Sequence, residues 1–146
     1  MSGGVISGPT PATPFGRGLW LWAPVAAYMA LIFVLSGMAA PPIPAQTSDK
    51  TLHVVGYGGL GVVALRATAG AVLSGVTGGS AAAAWTIATL YGVTDEYHQS
   101  FVPERTADPA DALADAVGAA ATIGSAWAFG IITRSRRSSG ASPRRR

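Results

Sequence analysis

The chain has 146 residues, of which 49% are hydrophobic and only 12% are charged. Soluble domains carry about 25% charged residues, so this single domain is too apolar for an ordinary soluble protein and is predicted to lie in a membrane. The chain contains no cysteine, which excludes disulfide bonds and thiolate metal sites.

The net charge of +3 hides an uneven distribution, because six of the ten basic residues lie after Thr133. A soluble nucleic-acid-binding protein can carry such a basic tail. The apolar runs that precede the tail instead favour anchoring on the cytoplasmic side of a membrane. We therefore expect the lipid bilayer as a partner, and no nucleic acid.

The first predicted helix is Leu19–Ala39, which follows a Gly-, Pro-, Ser- and Thr-rich tail, residues 1–18, predicted to be disordered. The helix has no charged residue and is long enough to cross a bilayer, which takes about 20 residues. Trp20 and Trp22 lie at its start, where amphipathic rings prefer the headgroup level. A cleaved signal peptide is the alternative. The apolar run is longer than the hydrophobic region of a signal, about 7–15 residues, and this favours a retained helix.

Two shorter apolar spans follow a proline-rich loop, residues 41–44. The second helix is predicted from about Ser48 to Leu65, and a Gly-rich segment, residues 70–79, comes after it. The third helix, Ser80–Thr94, covers only about 22 Å at 1.5 Å per residue. It therefore crosses a bilayer only if the helix continues through residues 95–101.

The fourth helix is predicted over Pro109–Thr133. Asp108 is a good N-cap for this helix, and Pro109 suits its first position. Asp111 lies in the first turn, where a carboxylate favours the positive end of the helix dipole. The basic residues 134–146 are predicted to be a disordered C-terminal tail.

Together the four spans predict an all-α protein, a four-helix transmembrane bundle over residues 19–133. With the N-terminus inside, eight basic residues are cytoplasmic and only Lys50 and Arg105 are outside. Because cytoplasmic segments carry the excess of Lys and Arg, both termini are predicted to be cytoplasmic.

All seven acidic residues and both histidines fall in two short windows, residues 49–57 and 91–115. Polar groups in so apolar a chain are costly unless they meet each other or water, and the predicted orientation brings both windows to the outer face. In the first window a helix puts Asp49, His53 and Tyr57 on one face. Taken alone, this window is explained more simply by an aspartate cap and a histidine satisfied by a nearby carboxylate.

In the second window a helical register puts Tyr91, Asp95 and His98 on one face. Glu96 and Gln99 then pair on an adjoining face. The window therefore predicts a cluster of acidic, imidazole and amide groups at the end of the third helix.

A stripe of carboxylates follows, because Asp108, Asp111 and Asp115 are spaced by three and four residues. Such acids repel one another unless a positive group lies among them. The candidates are Lys50, Arg105, a protonated histidine or a divalent cation.

Two histidines and several carboxylates can bind a transition metal, although their spacing matches no tight zinc motif. A divalent metal cofactor therefore stays open, and its identity is undetermined. The sequence has no nucleophile elbow and no phosphate-cradling glycine motif. A Ser/His/Asp triad with Ser48 or Ser100 is conceivable, but nothing distinguishes either serine.

The two windows carry a pattern that extends over residues 48–125. It reads Asp49-Lys50-x-x-His53-x-x-x-Tyr57-x-x-Leu60-Gly61, then Asp95-Glu96-x-His98-Gln99-x-Phe101-Val102-Pro103-x-Arg105, then Asp111-x-Leu113-Ala114-Asp115-x-x-Gly118. By these motifs the chain resembles the VanZ-like family of small bacterial membrane proteins. It departs from the family pattern at Asp115, where Asn is usual, and at Glu104, where Gly is frequent and Glu is expected to stiffen the turn.

The resemblance implies a multi-pass protein of the bacterial cell membrane with a site built from both windows. The family is named for a protein that lowers susceptibility to the glycopeptide teicoplanin, and most members have no established activity. We expect this site to act on or bind the head group of an envelope lipid or lipid-linked glycan, with an effect on glycopeptide susceptibility. Whether the protein is an enzyme is left open.

The expected roles of the site residues fall into three sets. The candidate catalytic residues, as acids and bases or metal ligands, are His53, His98, Asp95 and Glu96. The candidate substrate-binding residues are Lys50, Arg105, Tyr57, Tyr91 and Gln99. The residues expected to orient the others are Asp49, Asp111 and Asp115.

Two alternative functions, one structural and one in transport, stay open. The polar cluster can be a non-catalytic interhelical lock, since breaking a buried charge network costs about 3–5 kcal/mol. A path for small solutes or protons is less favoured, because no charged residue lies mid-span on a route to the cytoplasmic side.

Overall fold

The structure, a computed structural model, describes residues 13–39, 41–42, 47–71 and 75–140. Its helices are α1 (Pro14–Ser36), α2 (Asp49–Thr68), α3 (Gly78–Gln99) and α4 (Pro109–Gly140). No strand occurs within these ranges. The predicted all-α class with four helices is confirmed.

Helix α1 begins earlier than the predicted start at Leu19. The hydroxyl of Thr13 accepts a hydrogen bond from the Gly16 N–H at 3.2 Å, and Pro14 takes the first helical position. A capping hydroxyl followed by proline is a strong helix start, and it lies inside the segment predicted to be disordered. The remainder of that segment, residues 1–12, lies outside the described residues.

Helix α3 is longer than the predicted Ser80–Thr94. Thr77 and Ser80 form a reciprocal capping box at its start, and the helix continues to Gln99. Its 22 residues span about 33 Å at 1.5 Å per residue. The continuation places the first part of the second polar window, residues 91–99, in the last turns of α3.

Helix α4 begins at the predicted Pro109, where Asp108 Oδ1 accepts a hydrogen bond from the Ala110 N–H at 2.9 Å. It runs on to Gly140, beyond the predicted end at Thr133. Residues 141–146 of the predicted tail lie outside the described residues.

Helices α2 and α4 pack closely because glycine and threonine line their contact. A Cβ on Gly118 would collide with the backbone oxygen of Val54 and come within 2.8 Å of its Cα. The Thr122 hydroxyl donates to the Gly58 carbonyl oxygen at 3.0 Å. Small residues of this kind let helix backbones approach in membranes, and here they bring the start of α2 against the start of α4.

Two of the described helices are both long and apolar enough to cross a membrane, Pro14–Ser36 and Pro109–Ile132. Large apolar side chains on both helices are exposed, among them Leu31, Val34 and Val117. Such continuous apolar exposure is unfavourable in water and suits contact with lipid.

Candidate functional site

The two polar windows meet at one end of the bundle, where α2 begins, α3 ends and α4 begins. The buried polar side chains gathered there are His53, Asp95, Glu96, Gln99, Asp111 and Asp115. All six are sequence-predicted site residues, and none is more than 8% exposed. Buried polar groups at this density must satisfy one another.

The most buried contact joins α2 to α4. Asp115 is fully buried, and its Oδ1 lies 2.8 Å from His53 Nδ1. With Nδ1–H donating to this carboxylate, Nε2 is the ring nitrogen left to accept a proton or a ligand. Glu96 Oε1 lies 3.9 Å from the same Nδ1. His53 thus has two carboxylates beside a single ring nitrogen.

Asp95 is held by neutral donors from two helices. The Ser36 hydroxyl donates to Asp95 Oδ1 at 2.6 Å, and Gln99 Nε2 donates to Oδ2 at 3.2 Å. Ser36 is a site residue that the sequence reasoning missed. Its only signal was that it is the sole serine or threonine in the apolar run Leu19–Ala39.

Glu96 ties the end of α3 to the start of α4. Its Oε2 accepts a hydrogen bond from the Asp108 backbone N–H at 2.9 Å. Its Oε1 lies 3.5 Å from Gln99 Nε2. The predicted pairing of Glu96 with Gln99 on one helix face is therefore present at the long limit of a hydrogen bond.

The Lys50 ammonium forms ion pairs with two carboxylates at the start of α4. Its Nζ lies 2.6 Å from Asp111 Oδ1 and 3.0 Å from Asp108 Oδ2. The Ala110 N–H and then the Lys50 ammonium stabilise the charged form of Asp108, and they hold the pKa of this carboxyl below its ordinary value of 3.8. Lys50 therefore offsets the charge of Asp108 and Asp111 but not that of Asp115, and its ammonium is already paired.

The guanidinium of Arg105 makes longer contacts with its partners than the Lys50 ammonium does. Its Nη1 lies 3.5 Å from Asp49 Oδ1, and its Nε donates to the Met38 carbonyl oxygen at 3.3 Å. Both distances are long for a guanidinium contact. The guanidinium retains donors for an anionic ligand.

His98 lies apart from His53. Its ring stacks on Phe33 of α1 with a centroid separation of 4.1 Å. Its Nε2 is buried and has no hydrogen-bond partner among the described residues. The structure thus places the two candidate catalytic histidines in different environments rather than in one acid–base pair.

The two candidate binding tyrosines lie inward of the cluster. The Tyr91 hydroxyl donates to the Met29 carbonyl oxygen at 2.6 Å, which joins α3 to α1. The Tyr57 hydroxyl is buried and has no partner in the described part of the chain. Their ring centroids lie 6.3 Å apart.

A cleft of about 250 Å³ opens beside this cluster. Its apolar walls include Ile32 and Leu35 of α1 and Leu52 and Val55 of α2. The predicted site residues that line it are Asp49, His53, Tyr57, Asp95, Gln99 and Arg105. The cleft therefore joins an apolar wall to acidic, imidazole, amide and guanidinium groups.

Several of these side chains can hold a metal ion. His53, Glu96 and Asp115 each offer one ligand atom, and the three atoms lie within 4.8 Å of one another. Asp49, His53 and Asp111 form a second such group. Imidazole and carboxylate ligands suit divalent transition metals.

Fold and site together define a small all-helical protein with two helices able to span a membrane and a buried polar cluster at one end. A family model described as VanZ/LLP1 matches residues 20–130. The chain belongs to this family, and the predicted VanZ-like resemblance is confirmed. Comparison with curated proteins and with solved structures finds no match to the chain.

Proposed function

We propose that all four helices cross the cell membrane, with both termini in the cytoplasm and the polar cluster at the extracytoplasmic face. Helices α2 and α3 support this by their exposed apolar surface. Val55 and Val62 of α2 and Leu90 and Val93 of α3 are each more than half exposed. Exposed valine and leucine on every side of a bundle suit lipid contact better than water.

The basic residues support the orientation. Arg66 lies 3.9 Å from the centroid of the Trp20 ring and donates to the Trp20 carbonyl oxygen, and Arg17 approaches the turn after α2. Lys50 and Arg105 belong to the opposite end, with the polar cluster. A cytoplasmic location for the Arg17 and Arg66 end follows the positive-inside rule.

Single-cysteine labelling tests the orientation directly, because the chain has no cysteine of its own. Ser100 and Ser135 are both exposed and lie toward opposite ends, and Ser→Cys is a small change at each. A membrane-impermeant maleimide should label Ser100→Cys in intact cells, and Ser135→Cys only after permeabilisation. The reverse pattern would invert the orientation, and labelling of both in intact cells would rule out a cytoplasmic C-terminus.

In this orientation the protein binds the anionic head group of an envelope lipid or lipid-linked glycan in the cleft. The observation that carries this proposal is the composition of the cleft, in which apolar walls lead to polar groups. An amphipathic ligand that enters from the lipid would lay its chain along Leu35 and Val55 and bring its head to Arg105. A guanidinium with free donors suits a phosphate through paired hydrogen bonds.

The His53–Asp115 pair would allow His53 to act as a general base in this site. Asp115 fixes the imidazole through Nδ1, so Nε2 is available to take a proton from a water or hydroxyl beside the bound head group. A carboxylate that orients a histidine in this way is the common arrangement of a general base. Hydrolysis or transfer at the head group is the reaction class that this arrangement serves.

Binding is tested with the purified protein in detergent and native mass spectrometry, with a polyprenyl phosphate and phosphatidylglycerol as probes and phosphatidylcholine as the zwitterionic reference. Arg105→Gln should weaken binding of both anionic probes by about tenfold or more, since loss of a charge-assisted contact costs about 1.5–3 kcal/mol. Arg66→Gln, the same change at the opposite end, is the matched control. Equal binding by wild type and Arg105→Gln would reject the site.

A non-catalytic lock is the second candidate, and hydrogen bonds between helices favour it. Ser36 to Asp95 joins α1 to α3, and His53 to Asp115 joins α2 to α4. Under this reading, Arg105→Gln leaves lipid binding unchanged, while substitution of Asp95 lowers the free energy of unfolding. Both candidate functions are compatible with an effect on glycopeptide susceptibility. This effect is tested by measuring the inhibitory concentration of teicoplanin for cells that express wild type or Arg105→Gln.

A further inference from the structure

The buried carboxylates around His53 exceed the positive charge available to them. Asp111 is paired with Lys50 at 2.6 Å, and Asp95 is satisfied by two neutral donors. Glu96 and Asp115 have His53 as their only ion-pair partner among the described residues. Two buried carboxylates against one imidazole leave a negative excess, which is costly in an apolar bundle.

The carboxylate of Asp115 lacks a positive group or a hydrogen-bond donor at one of its two oxygens. The side chain is fully buried, its Oδ1 faces His53 Nδ1, and its Oδ2 has no hydrogen-bond partner in the part of the chain that the structure describes. Oδ2 lies against Gly92 of α3, where an added Cβ would come within 2.6 Å of it. A buried carboxylate with one unpartnered oxygen is uncommon and undercompensated, and a cation at Oδ1 would offset its negative charge.

The geometry of the three side chains suits one ion. His53 Nδ1 lies 2.8 Å from Asp115 Oδ1 and 3.9 Å from Glu96 Oε1. A zinc ion lies about 2.0–2.2 Å from imidazole nitrogen and carboxylate oxygen, and tetrahedral ligands are then about 3.4 Å apart. The His53–Asp115 contact needs to open by about half an ångström, and the Glu96 contact needs to close by a similar amount.

We propose that His53, Glu96 and Asp115 form a binding site for one divalent transition-metal ion. One imidazole and two carboxylates are ligands that Zn²⁺ and Mn²⁺ accept. The ion replaces the proton on Nδ1, so binding releases a proton and weakens as the pH falls. The site does not depend on whether the cleft binds a lipid.

The alternative group, Asp49, His53 and Asp111, is less suited to an ion. Lys50 lies 2.6 Å from Asp111, and an ammonium at that distance repels a divalent cation. Asp49 is exposed and already lies 3.5 Å from Arg105. The buried group has neither of these competing cations.

The test uses the full-length protein in detergent, stripped with EDTA and then titrated with Zn²⁺ or Mn²⁺ by calorimetry, with elemental analysis after dialysis. Wild type should bind about one ion per chain. Glu96→Gln should weaken binding by at least about tenfold, because even changes next to a metal ligand cost about 10–100-fold in affinity. Glu104→Gln, the same change at an exposed loop position, should bind as wild type does.

Asp111→Asn separates the two groups and should retain the ion. If Glu96→Gln does not fold, Asp115→Asn replaces it in the test. This variant keeps an oxygen acceptor for His53, and it should also weaken metal binding by at least about tenfold. Three results each overturn the proposal: no binding of either metal by wild type, equal binding by wild type and Glu96→Gln, or loss of the ion in Asp111→Asn with retention in Glu96→Gln.

Discussion

His53 Nδ1 and Asp115 Oδ1, 2.8 Å apart and buried, connect the first turns of α2 to the second turn of α4. The contact orients an imidazole that lines the cleft, and it places a carboxylate at a depth where water cannot compensate for a lost partner. The same two residues therefore determine both the stability of this end of the bundle and its chemistry.

Asp115→Ala should lower the free energy of unfolding by about 3–5 kcal/mol, because it removes one partner of a buried charged pair. Asp115→Asn should cost clearly less, since the amide oxygen still accepts from Nδ1–H. Unfolding in detergent followed by circular dichroism measures both. Equal losses for Ala and Asn would show that the hydrogen bond to His53 does not stabilise the protein.

Gly118→Ala should destabilise the bundle, because the new methyl group would collide with the Val54 backbone. The helices α2 and α4 must then separate, and overpacking of this kind costs about 1–3 kcal/mol. Gly124→Ala is the matched control on the same helix, since its Cβ meets nothing within 4 Å. That change should be neutral or stabilising by up to about 1 kcal/mol. Similar effects at the two positions would contradict the close α2–α4 contact.

Glu104→Gly should stabilise the loop between α3 and α4. Glu104 has φ 66°, in the left-handed region, where a side chain costs about 1–2 kcal/mol and glycine has no such cost. Part of the gain is lost to the greater freedom of glycine in the unfolded chain, so we expect a net gain of about 0.5–1 kcal/mol. Glu104→Ala keeps the strained backbone and should bring no gain. A gain in both variants would mean that removal of the charge, not the backbone conformation, is responsible.

The Lys50–Asp108 pair should contribute stability that depends on pH. The folded pKa of Asp108 lies below its ordinary value of 3.8, so the contribution is fully present above pH 3.8 and is lost as the pH falls through the folded pKa. The thermal midpoints of wild type and Asp108→Asn, which keeps an oxygen acceptor for the Ala110 N–H, should therefore differ near pH 6, and the difference should shrink as the pH falls below 3.8. High salt should also reduce the difference, because the pair is exposed. A difference that is unchanged between pH 6 and pH 3 would contradict this account.

Local signals in the chain were sufficient to find the four helices, but not all of their ends. Asp108 and Pro109 predict the start of α4 because capping depends only on neighbouring residues, and the structure begins the helix there. The start of α1 was placed too late, at Leu19, because apolar composition outweighed the capping signal of Thr13 and Pro14. The motifs of both windows also identified the family, which the match over residues 20–130 confirms.

The sequence by itself determined the helical class, the family and the set of polar residues that must meet, since periodicity, capping and charge are local properties. Only the tertiary structure decided which of these residues pair. His53 takes Asp115 as its partner, Lys50 is occupied by Asp108 and Asp111, and His98 turns to Phe33. These choices depend on how closely α2 approaches α4 and how each helix is rotated, and that geometry arises from side-chain packing between residues far apart in the chain.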